Sequence, residues 1–406
     1  MKRIPKNVLI LGWVSFFNDV ASEMIYPIVP IFLTSVLGAP VAVVGLIEGI
    51  AEATASLGKF IFGYLSDKIQ KRKIFVVIGY GVSSISKLLI GLASVWPFVL
   101  FARFIDRFGK GLRTGARDSI LLQNTNAKNK GFIFGFHRAF DSAGAFVGPI
   151  IALILLSVFK ENMRLIFLLA FVPAVVGVLL LVIFIKEKKS RVAEVEGVST
   201  ARSDFSSPPL VASTGGKETS GRPRDFNKLV LFFTISMIFA LGNSSDAFLI
   251  LRAKNLGLTT TLVVVAYILY NLSQTIFSTP AGQLADKIGA RKVYAIGLLV
   301  FSAVYFSFGI INHPFWIWVL FPIYGIYIAA TDGVSKAYIS EFISEKESGT
   351  YFGLYQTGIA IASFFASYVA GLLWYKINPA ATFFYGAGMA LLAFLVLGYG
   401  KAVKRV

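Results

Sequence analysis

Cysteine is missing from the 406-residue chain. It therefore forms no disulfides, has no thiolate nucleophile and builds no cysteine-based metal site. Charge is also scarce. Only 15% of the residues are charged and 56% are hydrophobic, against about 25% and about 45–50% in a soluble globular domain. A soluble enzyme, a disordered tail and a disulfide-stapled secreted domain are all excluded by so little polar surface. The sequence has no G-x-x-x-x-G-K-S/T loop, no H-E-x-x-H pair and no nucleophile elbow, so nothing marks ATP hydrolysis, zinc chemistry or acyl transfer. With no catalytic constellation, no cofactor or metal is expected, and the chain does not read as an enzyme. What charge there is leans one way, with 39 Lys+Arg against 21 Asp+Glu and a net charge of +18. Such basicity could suggest nucleic acid. The 38 Phe and a mean hydropathy of +0.73 point instead to basic residues that hold loops at a membrane face, with the lipid bilayer as the partner and no nucleic acid.

A bilayer core of about 30 Å takes roughly 20 apolar helical residues per crossing. Stretches of that kind run at about 8–33, 42–64, 74–94, 97–118, 131–158 and 165–185, then at about 229–251, 261–281, 292–311, 315–339, 349–374 and 381–400. The reading is an all-α integral membrane protein with twelve transmembrane helices in two six-helix bundles, 1–185 and 229–406. The first stretch is kept as a helix rather than a signal peptide, because Asn18, Asp19 and Glu23 interrupt it and no A-x-A site follows. Lys2, Arg3, Lys6, Lys68, Lys71, Arg72, Lys73, Lys128, Lys130, Lys287, Arg291 and Lys292 fall on one side, and Lys160, Arg164, Arg252, Lys254 and Lys376 on the other. The positive-inside rule then places both termini in the cytoplasm, and the protein is read as one of the inner (cytoplasmic) membrane. Residues 186–228 are polar and rich in Pro, Gly and Ser. They cannot bury enough surface to fold alone and read as a flexible cytoplasmic linker.

The halves repeat. Gly63-Tyr64-Leu65-Ser66-Asp67-Lys68-Ile69 returns as Gly282-Gln283-Leu284-Ala285-Asp286-Lys287-Ile288, and Gly131-Phe132-Ile133-Phe134-Gly135 as Gly349-Thr350-Tyr351-Phe352-Gly353. Two motifs at one offset of about 219 residues, both on the cytoplasmic side, indicate parallel repeats about an axis along the membrane normal. The loop after the second helix continues to Lys71-Arg72-Lys73. The fourth helix reads Arg103-x-x-x-Arg107-x-Gly109-x-Gly111, and the fifth carries Gly135, Gly144 and Gly148-Pro149. With these three signatures the chain resembles the major facilitator superfamily over its whole length apart from the linker. Departures are Gln70 where the family has a loop glycine, Arg107 for a helix-4 glycine, and Ala152-Leu153 for a final glycine pair. The helix-5 glycine spacing is similar to that of proton-driven exporters. The resemblance implies a locking role for the loop carboxylates and their basic partners, and so a gating or structural role for Gly63, Asp67, Lys71, Arg72, Asp118, Gly282 and Asp286. Gly144, Gly148 and Pro149 join them as the helix-5 motif. It also implies that helices 1, 4, 7 and 10 line the cavity.

A charge at the bilayer centre costs at least about 2.5 kcal/mol, so each intramembrane charge needs a reason. At 100° per residue, Arg103, Asp106, Arg107, Lys110, Arg113, Arg117 and Asp118 share an arc of about 140° over about 22 Å of helix 4. That stripe must face other helices or water. Helix 1 adds Asp19 and Glu23, helix 2 Glu48, Glu52 and Lys59, helix 3 Lys87, and helix 5 His137, Arg138 and Asp141. An acid–base network of Asp19, Glu23, Glu48, Glu52, Arg103, Asp106, Arg107, His137 and Asp141 would carry protons. The competing reading makes many of these charges satisfied pairs that tie helices together, above all at the cytoplasmic ends. The second half offers few charges but many hydroxyls and amides. A solute-facing wall would hold Asp246, Tyr267, Tyr270, Asn271, Gln274, Tyr324, Tyr327, Tyr355 and Gln356, met from the first half by Asn18, Tyr26 and Arg138. Asp246 follows Ser245 as Glu23 follows Ser22, which puts the two carboxylates at matching places in the repeat.

The function expected is secondary active transport by alternating access, as a monomer, with protons and a small organic or amphipathic solute as partners and efflux by antiport as the direction. Import of an anionic metabolite by symport, lipid translocation and a non-transporting receptor or scaffold are the alternatives. The substrate is not written in the sequence.

Overall fold

The computed structural model describes residues 4–69, 71–123, 130–185, 226–340, 342 and 348–399, and every regular element among them is helical. The first span is α1 (Lys6–Ile25) followed by the short α2 (Val29–Ile31) and a π turn, Phe32–Val36. Five single helices follow: α3 (Val41–Ile69), α4 (Arg72–Leu92), α5 (Trp96–Gln123), α6 (Lys130–Val158) and α7 (Met163–Phe184). The seventh span is again double, α8 (Phe226–Gly242) and α9 (Ala247–Asn255). The chain then runs through α10 (Thr260–Ile288), α11 (Ala290–Ile310), α12 (Ile317–Ser340), α13 (Ser348–Lys376) and α14 (Pro379–Tyr399). Among the described residues, eleven spans are long and apolar enough to cross a membrane. The remaining helix, α5, has 28 residues, or about 42 Å at 1.5 Å per residue. It has the length to cross, and its charged stripe keeps it from reading as apolar. The all-α membrane architecture is as expected. The linker expectation falls mostly on 186–225, outside the described residues.

Two spans expected to be continuous are broken. In the first, Pro27 has no N–H to give and its ring crowds the preceding turn, so the helix stops and a turn bond from Ile28 N to the Ile25 carbonyl (3.0 Å) bridges to α2. In the seventh, the break falls on Asn243-Ser244-Ser245-Asp246. Irregular backbone at this depth survives only where its polar groups find partners. Here Ser245 N donates to Ser367 Oγ at 3.1 Å, and Ser245 Oγ accepts from Ala247 N at 3.3 Å, which starts α9.

Helix α1 packs on α6 and α7, α5 on α3 and α4, and α4 on α7. In the later part of the chain α12 packs on α10 and α11, and α14 on α8 and α11. The two groups meet along α3 and α13, along α6 and α10, and where α2 touches α9. Paired arginines close the helix ends on the side away from the termini. Arg164 donates to the Ala93 carbonyl (2.5 Å), and Arg252 to the Phe308 and Ile311 carbonyls (3.1 and 2.6 Å).

The two groups touch at one end and part at the other. Near the start of α3, a β-carbon on Gly45 would strike the Ser367 carbonyl, and one on Gly49 would come within 2.9 Å of the Phe364 ring. Phe60 lies eleven residues past Gly49, about three turns on and on the same face, yet it is 72% exposed. Helices α3 and α13 therefore diverge toward the end that carries both chain termini.

Candidate functional site

The space between the two groups is a cavity of about 370 Å³. Helix α3 contributes Glu48 and Glu52, α5 contributes Arg107, and Tyr26 enters from the break in the first span. The broken seventh span adds Asn243, Ser244, Ser245 and Asp246. Tyr294 comes from α11, Tyr324, Tyr327 and Asp332 from α12, and Tyr355, Gln356, Ser363 and Ser367 from α13. Behind it lies a second, smaller cavity of about 50 Å³, lined by Asp19, Ser22, Glu23, Arg103, Asp106, Lys110 and Arg113. Tyr26 and Arg107 border both, so the two side chains form the partition between a solute-sized chamber and a small, highly charged one.

Several of the intramembrane charges occupy defined pairs. Arg103 Nη2 donates to Glu48 Oε1 at 2.6 Å, linking α5 to α3. The other Glu48 oxygen accepts Ser245 Oγ at 3.4 Å, across the two helix groups. Lys87, fully buried on α4, donates to Asp106 Oδ1 at 2.7 Å, and Ser86 Oγ donates to the same oxygen at 3.2 Å. Arg107 stands farther off, its Nε 3.9 Å from Asp106 Oδ2. Low dielectric strengthens such contacts and equally raises the cost of stranding either partner.

Glu23 and Asp246, expected at matching places in the repeat, do not correspond: Glu23 lies within α1 before its break, whereas Asp246 ends the break that precedes α9, and the two are held differently. Tyr267 on α10 donates its hydroxyl to Glu23 Oε2 at 3.0 Å. Asp246 accepts two hydroxyls, Tyr324 on Oδ1 at 2.7 Å and Tyr270 on Oδ2 at 2.9 Å. The rings of Tyr26, Tyr267, Tyr270, Tyr324 and Tyr327 follow one another with centroids 4.9–5.7 Å apart, within the range of favourable aromatic pairing.

Glycines set how closely α6 approaches α1. A β-carbon on Gly144 would come within 2.6 Å of the Phe16 carbonyl and 3.0 Å of Asp19 Cβ. One on Gly148 would come within 2.7 Å of the Val20 carbonyl and 2.9 Å of Glu23 Cβ. The helix-5 motif thus abuts the two helix-1 carboxylates backbone to backbone, with Pro149 inside α6 just beyond.

The expected residues are gathered unevenly. Tyr26, Glu48, Glu52, Arg107, Asp246, Tyr324, Tyr327, Tyr355 and Gln356 line the larger chamber, and Asp19, Glu23, Arg103, Asp106 and Arg107 the smaller one. Tyr267 and Tyr270 stand behind the walls and act through the carboxylates they hold. Asn18 is buried and donates to Asp19 Oδ1 at 3.3 Å. Asn271 donates to the Tyr267 carbonyl at 3.0 Å, and Gln274 is half-buried on the same helix. None of these three lines a cavity. His137 and Asp141 form their own contact on α6, 3.5 Å apart, outside both chambers. The side chains of Arg138, Asp67 and Asp286 lie outside the described residues. Gly63 meets Gly115 of α5, whose β-carbon would lie 2.9 Å from its Cα, whereas Gly282 has open space around it. Lys71 is exposed, Arg72 half-buried, and Asp118 accepts from Arg117 Nε at 3.0 Å.

Reading the sequence alone missed Asn243, Ser244, Tyr294, Thr331, Ser335, Ser363 and Ser367 on the larger chamber. A signal was present in two of these places: four polar residues in a row at 243–246, and Ser363 and Ser367 one turn apart.

Comparison with known proteins agrees with this architecture. The family model for the Major Facilitator Superfamily matches residues 11–267 and 229–404. An uncharacterised MFS-type transporter of Methanocaldococcus jannaschii is 38% identical over 404 residues, covering 98% of this chain and 95% of its own. The quinolone resistance protein NorA of Staphylococcus aureus is 28% identical over 169 residues, 41% of this chain and 43% of its own. The crystal structure of the nucleoside transporter NupG superposes with a TM-score of 0.73 at 13% identity, covering 97% of this chain and 99% of its own. A family match across almost the whole chain and a relative aligned end to end carry the assignment: the chain belongs to the major facilitator superfamily and is a multi-pass membrane transporter of the secondary kind, not an enzyme.

Proposed function

We propose that the protein is a proton-driven antiporter that expels a small organic or amphipathic solute through the cytoplasmic membrane, as a monomer with both termini inside. Residues 1–185 and 229–406 are the two bodies that rock about the larger chamber, and 186–228 tethers them. With the basic loops on the cytoplasmic side, the divergence of α3 from α13 makes this the inward-open form, the one that would load a solute from the cytoplasm.

One observation carries the reading. Glu23 sits in the small charged chamber, yet its carboxylate accepts a hydroxyl from Tyr267 on α10, in the opposite helix group. A hydrogen bond to an ionised carboxylate is worth about 1.5–3 kcal/mol, roughly twice a neutral one. Protonating Glu23 removes the charge that strengthens this contact, so proton uptake loosens a tie between the two moving bodies. A transporter that exchanges protons for solute needs such a link between protonation and which side is open. The Gly144 and Gly148 packing supports it, because it holds Asp19 and Glu23 against a helix whose backbone is their immediate neighbour. The partial similarity to a drug-resistance protein agrees with efflux as the direction.

The test uses inside-out vesicles carrying a respiration-driven proton gradient and a pH-sensitive dye, challenged with a panel of lipophilic cations, neutral drugs and organic anions. Active compounds should dissipate the gradient in wild-type vesicles and fail to do so with Glu23→Gln, while the variant is inserted and folded. Proton-driven exchange retained in Glu23→Gln would remove Glu23 from the mechanism. Silence across the whole panel would overturn the efflux reading.

A further inference from the structure

Asp246, on the larger chamber, has both oxygens accounted for by phenol hydroxyls: Tyr324 at 2.7 Å and Tyr270 at 2.9 Å. Among the described residues no Lys, Arg or His lies within ion-pair distance of it. The contrast with its neighbours is sharp. Glu48 on the same chamber has Arg103 at 2.6 Å, and Asp106 behind the partition has Lys87 at 2.7 Å. A charged group at membrane depth is expensive and is ordinarily met by an opposite charge. Here two donors hold the carboxylate in place, and among the described residues no countercharge meets it.

The surroundings fit a cation that arrives from outside. Four carboxylates border the chamber, Glu48, Glu52, Asp246 and Asp332, with Arg107 as the basic side chain among the lining residues. Arg107 is on the partition, turned toward Asp106 at 3.9 Å. Tyr324 and Tyr327 line the wall with ring centroids 4.9 Å apart, and Tyr26 stands across from them. Phenol rings present electron-rich faces, which attract an organic ammonium within about 6 Å of the centroid. The rings also suit the apolar part of an amphipathic solute, which a bare metal ion does not have. A cavity of about 370 Å³ falls in the size range of small-molecule sites and is far too wide to ring a sodium ion with oxygens at bonding distance.

We infer that the larger chamber binds an organic cation with a single ammonium group, whose charge is received by Asp246 and whose body rests against Tyr324, Tyr327 and Tyr26. The inference rests on the transporter reading and adds the class of solute. An anion placed at the same spot would face an uncompensated carboxylate. A neutral solute would leave that carboxylate as uncompensated as it is in the empty chamber. Only a cation completes the electrostatics of the wall. Loading then exchanges water around the ammonium for Asp246 and the ring faces, and the proton site at Glu23 stays physically separate behind Tyr26 and Arg107.

The experiment is equilibrium binding to the purified full-length chain in detergent, with no gradient imposed. The probe is radiolabelled benzyltrimethylammonium, with phenylacetate as an anion of similar shape and sodium chloride against sucrose as a test for a metal ion. Saturable binding of the ammonium is expected, without competition from phenylacetate or sodium. Asp246→Asn should weaken it by at least about tenfold, the loss that goes with removing one partner of a desolvated charge pair. Asp246→Glu, which keeps the charge, should stay within about threefold. Both variants are checked for wild-type elution and thermal unfolding. Should Asp246→Asn fail to fold, the wild-type chain gives an independent reading. Carbodiimide coupling of an amine to Asp246, followed by peptide mass spectrometry, should slow with benzyltrimethylammonium and not with phenylacetate. Absence of saturable ammonium binding, binding unchanged in a folded Asp246→Asn, displacement by phenylacetate or sodium, or no protection of Asp246 would each overturn the inference. The two readings fail separately: equilibrium binding needs no proton coupling, and loss of the Glu23 effect in vesicles would leave this result standing.

Discussion

Lys87 offers the most direct test of whether the intramembrane charges hold helices together. Its side chain is fully buried, and its ammonium lies 2.7 Å from Asp106 on the neighbouring helix α5. Replacing it by Met keeps the length and removes the charge. Asp106 is then left with Ser86 Oγ at 3.2 Å and the more distant Arg107 at 3.9 Å. Removing one partner of a buried pair costs about 3–5 kcal/mol, and the retained serine bond favours the lower end. At about 2.1 cal/mol/K per residue, unfolding 406 residues releases about 0.85 kcal/mol/K, so the midpoint should fall by about 4–6 °C. Helix that persists in the detergent-unfolded state lowers this entropy and enlarges the shift. The assay is thermal unfolding of Lys87→Met, Asp106→Leu and the double variant in one detergent. The double variant should recover a good part of the loss of the worse single, because neither charge is stranded. A Lys87→Met midpoint within about 1 °C of wild type, or strictly additive losses in the double variant, would refute the pairing argument.

Two further outcomes follow from close packing. Gly148→Ala puts a methyl group 2.7 Å from the Val20 carbonyl and 2.9 Å from Glu23 Cβ; backbone cannot yield as a side-chain tip can, so a loss of about 1–3 kcal/mol is expected, whereas Gly282→Ala, with open space around it, should leave the unfolding midpoint unchanged. Gly45→Ala obstructs the contact of α3 with the Ser367 carbonyl and should shift the resting population toward the form that is open at the other end. Because the chain has no cysteine, spin labels at introduced cysteine pairs can read this distance distribution directly, and an unaltered distribution would count against the close approach being what holds this end shut.

The architecture was legible because hydropathy and repeat spacing are one-dimensional signals. The chain order of spans follows from runs of apolar residues, and α5, the one span that fails a hydropathy test, is placed by its neighbours and by its stripe of Arg103, Asp106, Arg107, Lys110 and Arg113. The site was legible in part. Glu23 and Asp246 stand out because carboxylates are costly at that depth. What a sequence does not carry is which residue faces which across two helix groups. Tyr267 and Tyr270 read as cavity wall, yet their hydroxyls turn back onto Glu23 and Asp246, a matter of helix rotation that three residues of spacing leave open. The breaks at Pro27 and at Asn243–Asp246 were passed over because each lies within a run whose average hydropathy still suits a continuous span, although the proline and the four polar residues in a row were signals of a break. Asp106 and Lys87, on different helices, could be called charges in need of partners, but only packing shows that they answer each other.

The tyrosines on α10 carry the last consequence of the proposed mechanism. Tyr267 and Tyr270 are three residues apart, so they project from one side of the helix, with ring centroids 5.4 Å apart. One donates to Glu23 in the charged chamber and the other to Asp246 on the solute chamber. A displacement of α10 that follows protonation of Glu23 must therefore also alter the hydrogen bonding of Asp246. Coupling runs through a rigid element shared by two sites, and proton and solute need not compete for one carboxylate. Tyr267→Phe removes the hydroxyl and keeps the ring. The lost bond to a charged group is worth about 1.5–3 kcal/mol, a factor of about 10–150 in the equilibrium that joins the two sites. In proteoliposomes loaded with a transported compound, the variant should retain downhill exchange, because the chamber and Asp246 are untouched, and should lose most of the uphill accumulation that a proton gradient drives in wild type. Full gradient-driven accumulation by Tyr267→Phe would show that the link between the two chambers runs elsewhere, with Arg107 and Tyr26 on the partition as the next residues to substitute.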